Sequence, residues 1–231
     1  VIMKILAIGS HPDDIEIFMF GLLSTCLQRG DQICLVIATD GSMGGVHPGL
    51  KLAKKRKLEA QNGLKYLGEP IFLNFKDGSL HDEKMASKVI REIVNDNQPD
   101  LIVTHAPEDY HPDHRTLSKY VSDAAGFNCP ILLSDTLMGV KFEPDYYVDI
   151  TPFFKLKSDA ILAHKSQNPK KFLEATKILN RFRSAQCNEP EGHYAEAYRY
   201  EKRFPFSDIR QMLPLSPKYK PYYQNFEGAL I

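Results

Sequence analysis

The sequence lacks long apolar runs and an excess of charge of either sign. No stretch reaches the roughly 18 consecutive apolar residues that a membrane-spanning helix needs, and the N-terminus lacks the basic region and cleavage site of a secretory signal. The 29 basic residues balance the 29 acidic ones, with no long run of like charges. Nucleic acid and anionic membranes are therefore not expected as partners, and we expect a cytoplasmic protein.

Cysteine is scarce, and internal repeats and low-complexity segments are missing. The four cysteines are widely separated and form no C-x-x-C pair (Cys26, Cys34, Cys129 and Cys187), which argues against a disulfide framework and against a zinc ribbon. A chain of 231 residues that is 43% hydrophobic can bury one sizeable core. We therefore expect a single domain over residues 1–231, with its core in about residues 3–200 and a tail rich in proline and aromatic residues over 204–231.

Apolar segments of strand length alternate with segments of helical periodicity along the chain. The predicted strands cover residues 4–9, 32–39, 71–75, 100–105, 130–134, 146–150 and 194–200, and the predicted helices cover 15–29, 50–67, 83–95, 153–166 and 169–183. Strands separated by helices of this length predict an α/β fold with a mostly parallel sheet and helices on both faces, in three α/β/α layers.

Polar residues follow the predicted strands at the points where the strands end. His11-Pro12-Asp13-Asp14 follows the first strand, Asp40 the second and Asp77 the third, and the loop after the fourth includes His111-Pro112-Asp113-His114. Ligands of parallel sheets bind outside the carboxyl ends of the strands. The sequence thus predicts that these loops converge on one site.

The two histidine clusters contain the ligand types of a divalent metal. A catalytic zinc takes three protein ligands and keeps one position open, and His11, Asp14 and His114 could supply those three. If a helix begins straight after the first strand, His11 and Asp14 lie on the same side of its first turn. Asp13 then points into the cleft as a general base. Taken alone, either aspartate could instead be a helix N-cap, and it is the second cluster that favours a metal.

With these residues in view, the chain resembles the LmbE-like, or PIG-L, family of zinc-dependent N-acetylglucosamine deacetylases. The two clusters match the signature pair of that family, and supporting segments follow in order at 56–60, 67–68, 77–78, 145–150, 163–167 and 194–197. The resemblance implies a Rossmann-like fold, one zinc ion per chain and hydrolysis of the acetamide of a glucosamine-type sugar conjugate. Two histidines and a carboxylate would also accept Fe2+ or Co2+.

Carried over residue by residue, the resemblance makes His11, Asp14 and His114 the zinc ligands. These are the residues that the ligand chemistry already favours. Asp13 becomes the general base that takes a proton from the attacking water.

The resemblance also implies roles outside the ligand set. His111 becomes a second catalytic histidine that steadies the oxyanion or protonates the leaving amine, and Asp113 holds its imidazole and raises its pKa. Arg56 matches a position that contacts sugar hydroxyls in relatives. Two further histidines have open roles: His105 closes a strand as a core or rim residue, and His164 either packs in its helix or supports the site.

Other functions stay open at this point. A metallohydrolase could act on another amide, on an ester or on a phosphoester. Phosphoesterases usually need two metals bridged by additional carboxylates, for which Asp40, Asp77 and Asp109 are available, although no H-x-D-x-D cluster occurs. A nonenzymatic sugar- or nucleotide-binding module would need a glycine-rich first turn, and Gly9-Ser10-His11-Pro12 is not G-x-G-x-x-G.

The expected partners are a small N-acetylated sugar substrate and further copies of this chain. The C-terminal tail contains four aromatic residues that favour a homo-oligomer: Tyr219, Tyr222, Tyr223 and Phe226. Their apolar rings would gain by burial against another subunit.

Overall fold

The apolar segments of the sequence form strands in the computed structural model, which describes residues 2–221. The strands are β1 (Lys4–Gly9), β2 (Gln32–Thr39), β3 (Ile71–Phe75), β4 (Leu101–His105), β5 (Ile131–Ser134), β6 (Tyr146–Asp149) and β7 (Ala195–Tyr200). Each predicted strand is confirmed, with at most one residue of difference at an end.

Within residues 2–221 the strands form one seven-stranded sheet in the order β3-β2-β1-β4-β5-β7-β6. Neighbours from β3 to β5 are parallel, and β7 runs antiparallel to both β5 and β6. The chain moves outward from β1 to β3 and then returns to place β4 on the other side of β1. Open α/β sheets bind ligands at such a switch point, and both histidine clusters follow the strands that flank it.

Helices cover both faces of the sheet. They are α1 (Asp14–Phe18), α2 (Phe20–Arg29), α3 (Leu50–Leu64), α4 (Ala86–Asn97), α5 (Pro112–Ala125), α6 (Phe154–Leu162) and α7 (Pro169–Gln186). Ile5 and Ala7 of β1 pack in the core that contains α1, α2 and α6, whereas Leu6 and Ile8 pack with α4 and α5. Alternate residues of β1 thus face opposite sides of the sheet, as the period of a strand requires. The sheet is therefore the middle of three layers, and the predicted α/β fold is confirmed.

Two parts of the helical prediction are wrong. The helix predicted over 15–29 is divided into α1 and α2 at Met19 (φ −132°, ψ −10°), because the Glu196 carboxylate accepts the amides of Gly21 and Leu22 at 2.8 and 2.7 Å and so caps a new helix. In addition, α5 was not predicted. It begins at the second histidine cluster with Pro112 in its first turn, a favoured position for proline.

The C-terminal tail packs partly on the core. Ile209 and Leu213 are buried, whereas Tyr219 is exposed. The other aromatic residues of the homo-oligomer prediction lie outside the described residues: Tyr222, Tyr223 and Phe226. In residues 2–221, no helix has both the length and the apolar character to cross a membrane.

Candidate metal and active site

The turn after β1 directs polar side chains into the crevice at the switch point. β1 ends at Gly9 and α1 begins at Asp14, whose amide donates to the His11 carbonyl at 3.2 Å. Asp13 has φ 149° and ψ −19° and makes no side-chain N-cap hydrogen bond. The capping interpretation therefore does not apply to Asp13. Such backbone strain costs about 1–3 kcal/mol and is concentrated at functional sites.

Three side-chain atoms meet beside this turn. His11 Nδ1 lies 3.2 Å from Asp14 Oδ2 and 3.1 Å from His114 Nε2. His114 Nε2 lies 3.2 Å from Asp14 Oδ2. Tetrahedral zinc, with ligand bonds of about 2.0–2.1 Å, would place its ligand atoms about 3.3 Å apart. The three predicted ligands thus form a triangle of the size and chemistry that a divalent ion requires.

Carboxylates behind the two histidines fix which nitrogen of each ring faces the triangle. His11 Nε2 lies 3.1 Å from Asp77 Oδ1 and 3.3 Å from Asp113 Oδ2, and His114 Nδ1 lies 3.1 Å from Asp109 Oδ1. Because a carboxylate only accepts, the outer nitrogen of each ring keeps a proton, and the inner nitrogen offers its lone pair to a metal once its own proton has left. Such contacts are typical of histidines that bind metals. Asp77 and Asp109 thus support the ligands, whereas a phosphoesterase would use them to bridge a second metal.

The electrostatics of the triangle favour a cation at its centre. Burial would lower the pKa of both histidines, but Asp14 and the carboxylates behind them outweigh it, so the pKa of His11 lies well above its usual value and that of His114 rises to about 9. Burial would likewise raise the pKa of Asp14, yet the neighbouring imidazoles hold it well below its usual value. Protons and a metal ion therefore compete for this triangle.

Overlapping groups of side chains within residues 2–221 have the spacing of a metal site: His11, His111 and His114; Asp14, His105 and His114; and His11, Asp77 and Asp113. In the group of His11, Asp77 and Asp113, a proton on His11 Nε2 already supplies the hydrogen-bond donor that the two carboxylates face. In the second, His105 Nε2 accepts the Ser10 amide at 3.1 Å. The imidazole nitrogens that accept no backbone amide belong to the triangle of His11, Asp14 and His114, in which Asp14 Oδ2 also accepts the His11 amide at 2.7 Å.

His105, at the end of β4, packs behind the triangle. Its ring stacks on that of His114 with centroids 3.8 Å apart and planes inclined by 11°. Burial lowers the pKa of His105 to about 4, so this imidazole is neutral. We therefore assign His105 the role of holding the His114 ring in place. In the sequence, only the position of His105 at the end of a strand indicated such a role.

Arg56 holds Asp13 beside the triangle. Its Nη2 lies 3.0 Å from Asp13 Oδ1 and donates to the Pro12 carbonyl at 3.0 Å, and its Nη1 donates to the Gly41 carbonyl at 3.0 Å. Burial raises the pKa of Asp13, and Arg56 opposes this rise. The resemblance implied that Arg56 contacts sugar hydroxyls. In the structure Arg56 lines the cavity, and its contacts with protein atoms orient the Asp13 carboxylate. Its contact with sugar hydroxyls stays a prediction.

The contacts of Asp113 correct the expectation for this residue. Its carboxylate accepts the amides of Gly78 and Leu80 at 2.7 and 3.0 Å and faces His11, so it supports a ligand and ties the loop after β3 to the site. Only its backbone amide contacts His111, donating to Nδ1 at 3.2 Å. Neutral His111 therefore carries its proton on Nε2. Burial and the two ligand histidines lower the pKa of His111 and outweigh the predicted raising effect of Asp113, so the net shift is downward.

These side chains line a cavity of about 270 Å³. The lining combines the site residues with apolar side chains from three parts of the chain, Ile17 and Phe18 of α1, Leu137, and Phe172 of α7. Pockets for drug-sized ligands are larger, at about 300–1,000 Å³. The size of this cavity suits a single sugar-sized group with one polar and one apolar side.

The segment 163–167 stabilises the cavity from outside the ligand set. His164 Nε2 lies 2.7 Å from Glu16 Oε1 and both residues are buried, which joins this segment to α1. The Ser166 amide donates to Glu59 of α3 at 2.9 Å. Gln167 Nε2 donates to the Gly44 carbonyl and lines the cavity. His164 thus supports the site, and Glu16 and Glu59 are partners that the sequence analysis missed because their contacts are distant in the chain.

Comparison with known proteins agrees with this geometry. Residues 6–125, more than half of the 231-residue chain, match PIG-L, GlcNAc-PI de-N-acetylase. The chain is 28% identical over 222 residues to diacetylchitobiose deacetylase of Thermococcus kodakarensis, covering 86% of this chain and 83% of that protein.

Two solved structures show the same fold. N,N'-diacetylchitobiose deacetylase from Pyrococcus horikoshii, complexed with its inhibitor MPG, superposes with a TM-score of 0.76 at 26% identity, covering 89% of this chain and 88% of that one. GalB, the 4-carboxy-2-hydroxymuconate hydratase from Pseudomonas putida KT2440, superposes with a TM-score of 0.77 at 18% identity, covering 90% and 100%.

GalB is a hydratase, so the fold alone does not fix the reaction. The family match does not depend on the fold alone, since it includes both histidine clusters, which lie within residues 6–125. The chain belongs to the PIG-L (LmbE-like) family.

Proposed function

We propose that this protein is a metal-dependent hydrolase that removes the N-acetyl group from an N-acetylglucosamine-type sugar conjugate. The observation that carries the proposal is the triangle of His11, Asp14 and His114, with the Asp13 carboxylate and His111 lining the same small cavity. The relatives in Thermococcus and Pyrococcus, which are diacetylchitobiose deacetylases, supply the reaction class.

Zinc is the ion that we propose for the triangle. The donor set fits it, because two imidazole nitrogens and one carboxylate oxygen leave a fourth tetrahedral position free. When bound, the ion would polarise the acetamide carbonyl and lower the pKa of water. Fe2+ and Co2+ are the expected substitutes.

Asp13 is the general base in this proposal. Its carboxylate lines the cavity next to the ligand Asp14, and Arg56 fixes its orientation. From there it takes the proton of the attacking water and holds it for the leaving amine. General bases typically contribute about 10²–10⁴-fold to the rate.

His111 stabilises the oxygen on which negative charge develops. Because Nδ1 accepts the Asp113 amide, the Nε2–H of neutral His111 is free to donate a hydrogen bond. A preorganised donor of this kind is worth about 3–4 kcal/mol in comparable hydrolases. The apolar side chains Ile17, Phe18 and Phe172 lie in the same lining and would cover the face of the sugar.

The test is acetate release from a panel of N-acetylglucosamine conjugates by zinc-loaded protein. Asp13→Asn should lose turnover and keep one zinc per chain, since Asp13 is not a ligand, and chelation should abolish the activity of the unaltered protein. Asp96→Asn, a charge loss on the exposed side of α4, is the matched control. Release that persists in Asp13→Asn, or no release from any conjugate by fully loaded protein, would overturn the proposal.

Three further proposals accompany this one. We propose that the chain is a single domain, because one sheet supplies the strands that carry the whole site. We also propose a homo-oligomer in the cytoplasm. Light scattering of the purified protein would contradict the homo-oligomer if it gave the mass of one 26.3 kDa chain.

A further inference from the structure

A second cavity, of about 690 Å³, adjoins the active-site cavity. Tyr110 and Leu137 line both cavities, so a molecule could extend from one into the other without leaving the protein surface. The outer cavity is also lined by Met138 and Val140. We name the set Tyr110, Leu137, Met138 and Val140 the apolar wall.

The side chains of the apolar wall are unusually exposed for their type. Tyr110 is 62% exposed, Met138 47% and Val140 60%. Single exposed apolar residues are common on protein surfaces, but neighbouring ones that line a cavity mark binding sites. Here they adjoin the reaction centre.

The turn that carries Leu137, Met138 and Val140 is strained and is held by side-chain contacts. Met138 and Lys141 have φ angles of 58° and 61°, in the left-handed region that side chains rarely adopt. The Thr136 hydroxyl donates to the Val140 carbonyl at 2.7 Å. Beneath the turn, buried Arg183 forms a two-point ion pair with Asp135 at 2.7 and 3.1 Å. Strain of this kind persists where the surroundings determine the conformation, and it is concentrated at functional sites.

Two charged side chains that line the outer cavity are held by contacts with protein atoms. Glu108 pairs with Arg199 at 2.6 Å. Arg115 Nη1 donates to the carbonyls of Asp109 and Tyr110 at 2.8 and 2.7 Å. The exposed apolar side chains Tyr110, Met138 and Val140 make up much of the surface that a ligand in this cavity would meet, which favours a hydrocarbon or aromatic group.

We propose that the apolar wall binds an apolar aglycone, the alkyl or aryl group attached to the N-acetylated sugar of the substrate. This inference rests on the proposed deacetylase function and narrows it to conjugates with an apolar substituent. Burial of such a group against Met138 and Val140 stabilises the bound state in proportion to the apolar area covered.

The test compares methyl, hexyl and phenyl glycosides of N-acetylglucosamine. For the unaltered protein we expect kcat/KM to rise at least about tenfold from methyl to hexyl, mainly through KM, since a few buried methylene groups give this much discrimination. The double variant Met138→Ala/Val140→Ala should lose that ratio and keep the kcat/KM of the methyl glycoside. Alanine keeps the β-carbon at 138, so the strain of the turn is unchanged.

Phe127→Ala is the matched control, because Phe127 is 73% exposed and precedes β5, whereas Met138 and Val140 follow the other end of that strand. It should leave the hexyl-to-methyl ratio as it is. Equal kcat/KM for the methyl and hexyl glycosides, or a double variant that weakens both alike, would overturn the apolar wall as an aglycone site. A change in oligomeric mass of the double variant with an unchanged ratio would assign the surface to a second copy instead.

Binding measurements separate this inference from the proposed function. If no glycoside releases acetate, the proposed function fails, and calorimetry of the hexyl and methyl glycosides on zinc-loaded Asp13→Asn still measures the outer cavity. Tighter binding of the hexyl glycoside that disappears on adding Met138→Ala/Val140→Ala would support the apolar wall. Equal binding would reject it.

Discussion

Two buried clusters of charged side chains differ in how they use their polar atoms. In the first, Lys157 Nζ lies 2.7 Å from Glu196 Oε1, and the Tyr198 hydroxyl donates to Glu196 Oε2 at 2.6 Å. The same carboxylate accepts two amides at the start of α2. None of the buried polar side-chain atoms of these three residues lacks a partner. This cluster joins α2, α6 and β7 and has no role left to play toward a ligand.

The triangle of His11, Asp14 and His114 is buried to a similar degree but is arranged in the opposite way. Its outer atoms are supported by carboxylates, while its inner atoms meet at 3.1–3.2 Å, so that their lone pairs converge on one place where protons or a metal ion bind. Lone pairs that converge require a cation. Glu196 and the triangle both lie in segments on which the family resemblance depends. A shared motif therefore does not separate a structural role from a catalytic one, whereas the direction of the lone pairs does.

The largest effect that separates the two clusters should come from removing a ligand. His114→Ala leaves two ligands, so we expect zinc content to fall well below one per chain and turnover to fall at least about 10³-fold, since the ion contributes several kcal/mol to the transition state. Metal analysis and acetate release measure both. The interpretation of the triangle fails if this variant keeps full zinc and more than a hundredth of the activity.

Breaking the cluster of Lys157, Glu196 and Tyr198 should lower the stability of the fold and not the zinc content. Burial lowers the pKa of Lys157, and Glu196 opposes that effect. Glu196→Gln leaves this ammonium without a counter-charge, so the free energy of unfolding in urea should drop by about 3–5 kcal/mol. The double variant Lys157→Met/Glu196→Gln should recover most of the loss, because no buried charge remains. A loss below about 1 kcal/mol in the single variant would contradict the structural role.

The sequence predicted the parts of the molecule that depend on local pattern. β1 and its polar cluster form as expected, because an apolar run and a strand-end turn are properties of neighbouring residues. The partner of Asp113 and the break at Met19 could not be predicted, since each depends on a contact with a distant part of the chain, the His11 ring in one case and Glu196 in the other. Arg56 could be predicted in part. Its motif in the sequence indicated that it belongs to the site, but its contact with Asp13 is seen only in the structure.

A moderate effect should follow from loosening Asp13 while the triangle stays intact. Arg56→Lys keeps the charge, but one ammonium cannot reproduce the contacts with Asp13, Pro12 and Gly41. We expect kcat to fall about 10–100-fold at unchanged zinc content, as for other residues that support a metal site. Arg91→Lys, on the exposed face of α4, is the control. If KM rises and kcat does not change, Arg56 contacts substrate, as the resemblance first implied.

The smallest predicted effect is the pH dependence of zinc binding, and it tests whether protons and the metal share one place. Without metal, His114 has a pKa of about 9 and that of His11 lies well above its usual value. Near neutral pH the His114 ring is therefore protonated, and zinc must displace its proton. Affinity should rise with pH up to about 9, by about tenfold per pH unit for each proton released. Calorimetry in two buffers of different ionisation enthalpy at pH 7 counts the protons.

Asp109→Asn sharpens this measurement. Asp109 is one of the groups that raise the pKa of His114, so its loss should reduce the number of protons released. It should also weaken zinc binding by about 10–100-fold, because the outer nitrogen of the ligand loses its carboxylate. Zinc binding that is independent of pH would place the ion away from the triangle. The Lys157 cluster offers the contrast: Lys157→Met/Glu196→Gln should leave the proton count of zinc binding unchanged, because its charges are balanced within the protein and never face the ion.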